Sequence, residues 1–182
     1  DLHWGKDETF RQRGVPMPAG QLTCELTRLG ELAADTKART IYVLGDLIHG
    51  RQGITDGVRH RIASWREHID SQIVLIRGNH DRHMPDLPDN WRIESHPEPL
   101  RVGDFALAHH PEPVTDGFAW AGHLHPTVGL ESRSDKLRLP CFHIQKTVGV
   151  LPAFTAFSAG PRVARKPTDR VFAIAEDHVV EV

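Results

Sequence analysis

The chain has 182 residues with 22 Lys and Arg against 24 Asp and Glu, 39% apolar and 25% charged residues, which suits one domain with a real core and excludes a disordered chain. No apolar run approaches the roughly 18 residues of a membrane span, no secretory signal is read, and Cys24 and Cys141 make no disulfide framework, so the expected setting is the reducing cytoplasm with no membrane partner. A net charge of −2 and a pI near 6.7 exclude a globally basic nucleic-acid coat protein and leave room for a local basic patch.

Gln21 to Ala34 carries Leu22, Leu26, Leu29 and then Leu32 or Ala33 at steps of three and four, which predicts a helix. Thr40 to Gly45 is a short β-branched run closed by glycine, a buried strand. Gly57 to Asp70, with Val58, Ile62, Trp65 and Ile69, reads as a second helix, and Gln72 to Arg77 as a second buried strand. Strand, helix and strand span one βαβ unit, so the two strands are expected to pair in parallel. Leu100–Val102 and Phe105–Ala108 flank Gly103-Asp104 as a hairpin. Phe118–Ala121, Thr127–Leu130, Leu137–Ile144, Val148–Phe157 and Val171–Ala175 are further strands, and His178–Val182 pairs with the last of them. Ser158 to Arg170 reads as loop. The expected whole is a single α/β domain over residues 1–182.

Thirteen histidines and 17 Arg against 5 Lys are unusual, but position decides more than number. The apolar run ending at Gly45 is followed by Asp46 and His49. The one ending at Gly78 is followed by Asn79-His80-Asp81. FALA is followed by His109-His110, and FAWAG by His123-Leu124-His125. Seven of the 13 histidines lie at these strand ends or in the opening Asp1-x-His3. Open α/β sheets bind ligands there. Oxygen and imidazole donors with no adjoining cysteine suit Mn, Fe or Zn in a catalytic role. Seven donors exceed one open site and fit a pair of ions roughly 3.5–4 Å apart, which clamp phosphate oxygens and activate a water for in-line attack.

Asp1-x-His3, Gly45-Asp46-x-x-His49, Gly78-Asn79-His80-Asp81, His109 and Gly122-His123-x-His125 resemble the five ordered motifs of the calcineurin-like metallophosphoesterases. DLHWGKDETFRQRGVPMP, GDLIHG, GNHD, LAHHPEP, GHLHP, LRLPCF and VLPAFTAFSAG extend the resemblance over nearly the whole chain. They make it similar to the bacterial ligase-associated DNA-damage-response endonuclease group. The resemblance implies two mixed β-sheets packed as a sandwich flanked by helices, with a first strand ahead of Asp1 that the numbered sequence does not contain. It implies Asp1, His3 and His125 on one divalent ion, most simply manganese, with Asn79, His109 and His123 on the other and Asp46 bridging. His80 would stabilise or protonate the leaving oxygen, with Asp81 orienting it. Many members carry an acid or Asn where His49 stands, so His49 is placed beside the ligands on the substrate side. His109 is preferred over His110 because it directly follows the apolar run. The implied activity is that of a phosphoric ester hydrolase: a DNA endonuclease or end-processing nuclease of repair, attacking with a metal-bridging hydroxide and working with DNA ligase or helicase partners. A small phosphodiester or cyclic nucleotide as substrate, or a non-catalytic repair scaffold, are the competing expectations.

Arg77 and Arg82 flank the Gly-Asn-His-Asp turn and could clamp a phosphate. Arg51, Arg59, Arg61 and Arg66 follow the Asp46 motif and form the best local candidate for a nucleic-acid backbone contact. Trp4 is expected to pack rather than stack on a base. Lys6, Arg11 and Arg13 are read equally as phosphate contacts or a solvated face. Cys24 and Cys141 are expected to be small buried groups.

Overall fold

Four-residue apolar runs, Ile41 to Leu44 and Ile73 to Ile76, seed the first sheet of the computed structural model, which describes residues 1–81, 86–131 and 136–182. The chain contacts divide it into two compact units: Leu2–Pro97, and Glu98–Val182 together with Asp1. The first unit comprises α1 (Lys6–Gln12), α2 (Gln21–Thr36), β1 (Thr40–Leu44), α3 (Asp56–Glu67), β2 (Gln72–Ile76) and β3 (Ile93–His96). Its three strands are all parallel, in the order β1-β2-β3. Ile73 to Ile76 are buried at every position, as a central strand covered on both faces should be. The leucine stripe of α2 buries Leu22, Leu26, Leu29 and Ala33, and Thr55 caps α3 by accepting from the Val58 N–H.

The expected helices and the parallel pairing of the first two strands are present. Two elements of this unit lay below the reach of periodicity. α1 buries Asp7 and Thr9 instead of an apolar stripe, and β3 carries one aliphatic residue and is held by its ladder to β2. Trp4 is 1% exposed and packs edge to face against Trp65 and Trp91 at 6.0 and 5.9 Å, so it belongs to the core. Arg66 departs from the expected basic face. It is 4% exposed and donates to the carbonyls of Trp91, Ile69 and Ser71, because a guanidinium can satisfy several chain ends at once. Arg51, Arg59 and Arg61 remain exposed. Cys24 is exposed as well, on the outer side of α2, whereas Cys141 is buried.

The second unit holds β4 (Leu100–Val102), β5 (Phe105–Ala108), β6 (Phe118–Ala121), β7 (Thr127–Glu131), β8 (Lys136–Ile144), β9 (Val148–Val150), β10 (Arg170–Ala175) and β11 (His178–Glu181). The order is β11-β10-β8-β9-β6-β5-β4, with β7 paired to the first half of β8. β5, β6 and β9 run parallel and the other pairs antiparallel. Ala106, Ala119, Ala121, Val148 and Val150 form a buried cluster. The α/β class with two sheets is as expected, but only this sheet is mixed; the other is wholly parallel. The strand expected over Val148–Phe157 stops at Val150, since Pro152 has no N–H to offer a ladder. Among the described residues no helix is long and apolar enough to cross a membrane.

Candidate metal centre

In the first unit the chain ahead of α1 runs beside the loop after β1. Leu2 and His3 N–H donate to the Asp46 carbonyl at 3.1 and 2.8 Å, Trp4 N–H to Leu47, and His49 N–H back to Trp4. These bonds put His3 Nε2 3.8 Å from Asp46 Oδ2. Two glycines make the seam possible. A Cβ on Gly53 would lie 1.9 Å from the Gly5 carbonyl oxygen, and Gly5 itself has φ 78°.

The turn after β2 closes on the same loop. His80 N–H donates to Asp46 Oδ1 at 3.1 Å, and His80 Nε2 lies 3.9 Å from Asp46 Oδ2. His80 Nδ1 meets the His49 carbonyl at 2.8 Å. A carbonyl only accepts, so Nδ1 carries the proton. Asp81 does not meet the His80 ring, which corrects the expected orienting contact. Its carboxylate accepts from the N–H groups of Leu47, Ile48 and Gly78 and so ties the two turns together. Burial pushes its pKa up against those bonds.

His3, His49 and His80 offer ligand atoms within 4.8 Å of one another. His49 was expected outside the ligand set. Its ring stacks on His80 at 5.4 Å and on Phe10 at 5.9 Å. Burial, helped by Lys6 and His80, lowers its pKa to about 4, so it is neutral at pH 7 and keeps a lone pair. His49 Nδ1 is buried without a hydrogen-bond partner, the condition of a nitrogen suited to a cation. Asn79 sits in the turn closed by Asp81 N–H on the Gly78 carbonyl.

In the second unit the residues after β5 and β6 converge on Asp1. His123 N–H donates to Asp1 Oδ2 at 2.9 Å. Asp1 Oδ1 lies 3.3 Å from His125 Nε2 and 3.8 Å from His109 Nδ1. His109 Nε2 and His123 Nδ1 stand 3.0 Å apart, and His109 is fully buried. His110 joins these two in a second group whose ligand atoms lie within 4.8 Å. Its Nδ1 is held at 2.7 Å by Glu98 Oε1, while Glu98 Oε2 accepts from the His109 and His110 N–H groups. Burial would raise the Glu98 pKa, but those donors overcome it and bring the value to about 2. Glu98 was missed at the sequence level. It lies 11 residues ahead of His109, between two prolines, with no spacing signature to mark it.

Backbone strain falls on the same residues. His3, Asp46, His123 and His125 have φ of 50°, 48°, 67° and 46°, four of the seven non-glycine residues with positive φ among the described residues. Each costs of order 1–3 kcal/mol and persists only because its surroundings hold it, and such strain gathers at functional sites. The donor sets fit metal ions. The first unit gathers imidazoles beside Asp46 and the second beside Asp1 and Glu98, and two ring nitrogens 3.0 Å apart call for a proton or a cation between them.

The expected substrate contacts are placed less closely. Arg77 reaches the exposed Asp86 at 4.0 Å, a weak surface pair. Arg51 is exposed on the short turn 51–53. Arg82 lies outside the described residues.

The chain superposes over its whole length on the crystal structure of Pseudomonas putida nuclease MPE, with a TM-score of 0.83 and 33% sequence identity, covering 100% of this chain and 84% of that one. This chain and that nuclease belong to one family. No protein-family model and no curated protein matches the chain.

Proposed function

We propose that the chain is a metal-dependent nuclease that hydrolyses DNA phosphodiester bonds. The observation that carries this reading is the full-length likeness, at 33% identity, to a protein described as a nuclease; the gathered histidines and carboxylates give it a chemical basis. In this reading Asp1, His3 and His125 would hold one divalent ion, Asn79, His109 and His123 would hold a second and Asp46 would serve both, with manganese ahead of iron or zinc. Bound ions of this kind supply Lewis acidity to a phosphate oxygen and lower the pKa of a water.

The remaining work falls to the chain. The His49 carbonyl fixes His80 with its proton on Nδ1, so His80 Nε2 carries a proton only as the imidazolium. That proton is the one to give to the leaving oxygen. The His80 side chain is 36% exposed and reachable by a substrate. Asp81 keeps the turn in place through three backbone donors. Arg77, Arg82 and Arg51 are read as contacts to substrate phosphates, with His49 beside them. A role in DNA repair beside a ligase or helicase, in the cytoplasm, completes the reading.

The test is a cleavage assay on single-stranded, duplex and nicked DNA across Mn²⁺, Fe²⁺ and Zn²⁺, beside a cyclic-nucleotide control and a chelator. Metal-dependent cutting of DNA supports the proposal. Hydrolysis of the cyclic nucleotide alone would reject the DNA assignment, and no hydrolysis of any substrate would reject the enzyme.

A further inference from the structure

β4 and β5 run antiparallel, with Leu100 opposite Leu107 and Val102 opposite Phe105. Continued past Leu100, that register sets Glu98 across from His109, the residue that follows β5. The backbone ladder stops at Leu100, since Pro99 has no N–H to give it. The Glu98 side chain takes over. Its Oε2 accepts from the His109 N–H at 2.8 Å and the His110 N–H at 3.0 Å, and its Oε1 meets His110 Nδ1 at 2.7 Å. On the other side the His109 carbonyl accepts from the Gly122 N–H at 3.1 Å. The turn 109–110 is thus pinned from both neighbouring strands, and all of these residues belong to the second unit.

The same contacts settle a tautomer. A carboxylate whose other oxygen accepts two N–H groups is itself an acceptor, so His110 Nδ1 carries the proton and Nε2 keeps the lone pair. The His110 ring lies 4.6 Å from that of His123 and 4.9 Å from that of His109, and the three residues offer ligand atoms within 4.8 Å of one another. Nitrogens bound about 2.1 Å from one ion stand roughly 3–4 Å apart, and His109 Nε2 and His123 Nδ1 already do so at 3.0 Å. Metal-ligating histidines almost always give their other N–H to a carboxylate, a backbone carbonyl or water, and Glu98 supplies a carboxylate to His110.

We propose that His110 is a further ligand for a divalent cation, held jointly with His109 and His123, and that Glu98 is the positioning residue that presents it. This rests on the metal-dependent nuclease reading. It adds an imidazole that the strand-end motifs leave out, because His110 stands one residue beyond the strand end.

The test is the Mn²⁺ affinity of the whole chain, titrated by the paramagnetic resonance of free Mn²⁺, with the imidazole ¹H–¹⁵N spectrum of the metal-free chain as a second readout. Glu98→Gln keeps an acceptor for both backbone N–H groups and turns an amide donor toward Nδ1. The His110 proton should then move to Nε2, and affinity should fall by about 10- to 100-fold. His110→Ala should lose at least as much. The double variant should bind no more weakly than His110→Ala, since Glu98 acts through that ring. Unchanged affinity in either single variant would overturn the proposal. Additive losses, or a Gln variant that unfolds, would mark Glu98 as a structural prop and would also overturn it. A parent that cuts DNA while both single variants bind Mn²⁺ as it does rejects the pair and spares the nuclease. Variants that lose Mn²⁺ as described, from a parent that hydrolyses no phosphodiester, do the reverse.

Discussion

His109 Nε2 and His123 Nδ1 stand 3.0 Å apart at the ends of two parallel strands, with His109 fully buried. The two ring nitrogens are held in contact before any ligand arrives, one donating to the other in the absence of a cation. A cation that binds the folded chain alone stabilises it by about 2.7 kcal/mol at a hundredfold excess over its dissociation constant. Mn²⁺ should therefore raise the melting temperature of the parent chain. His109→Ala should remove most of that rise, and an equal rise in the variant would show that the pair does not ligate.

In the proposed reading His80 moves a proton rather than holding an ion. His80→Ala should keep the metal content of the parent and lower kcat by about 10²–10⁴. The paired readouts are metal analysis and turnover of a chromogenic phosphodiester. Loss of metal in this variant would place His80 among the ligands, with His3 and His49, whose ring atoms it approaches.

Arg66 is the structural counterpart of the exposed arginines near it. Its guanidinium joins the ends of α3 and β2 to the turn before β3 through carbonyls of Ile69, Ser71 and Trp91. Arg66→Ala strands those acceptors in the interior and should cost about 3 kcal/mol or more. Urea unfolding measures it. A change within about 0.5 kcal/mol, usual for surface sites, would contradict this burial.

Asp169 predicts an acid limit to stability. The His143 ring holds its carboxyl below the ordinary carboxylate range, with the Lys166 N–H adding to the effect against burial. A carboxyl whose folded pKa is depressed contributes fully above its unfolded pKa and loses that contribution as pH falls through the folded value. The loss starts near pH 4, where a free Asp titrates. Asp169→Asn should be less stable than the parent at pH 7, and the gap should narrow toward pH 3. A gap that stays constant between those pH values would rule out this linkage.

Legibility of the chain followed burial. The leucine stripe of α2 and the β-branched runs of β1 and β2 announce themselves because an apolar face must be hidden. α1 is held by Gly5, Asp7 and Thr9 contacts, and β3 by a neighbour's ladder, so neither has a period to read. At the candidate centre, strand-end position singled out Asp46, His109, His123 and His125, and the opening Asp-x-His singled out His3, because a strand delivers the residues that follow it to the end of its own sheet. The supporting contacts were hidden for a different reason. Glu98 under His110, the His49 carbonyl under His80 and Asp81 between two turns are choices of rotamer and turn geometry, which residue identity alone does not encode. Arg66 misled because charge at helical spacing looks the same whether the side chain faces solvent or caps buried carbonyls.

The most direct measurement of the central claim is the metal content of the folded parent chain after reconstitution with Mn²⁺ and removal of excess, beside Asp46→Ala. The account predicts about two ions per chain in the parent and loss of both in the variant. A parent that retains no metal, or an Asp46→Ala chain that retains as much as the parent, would contradict it.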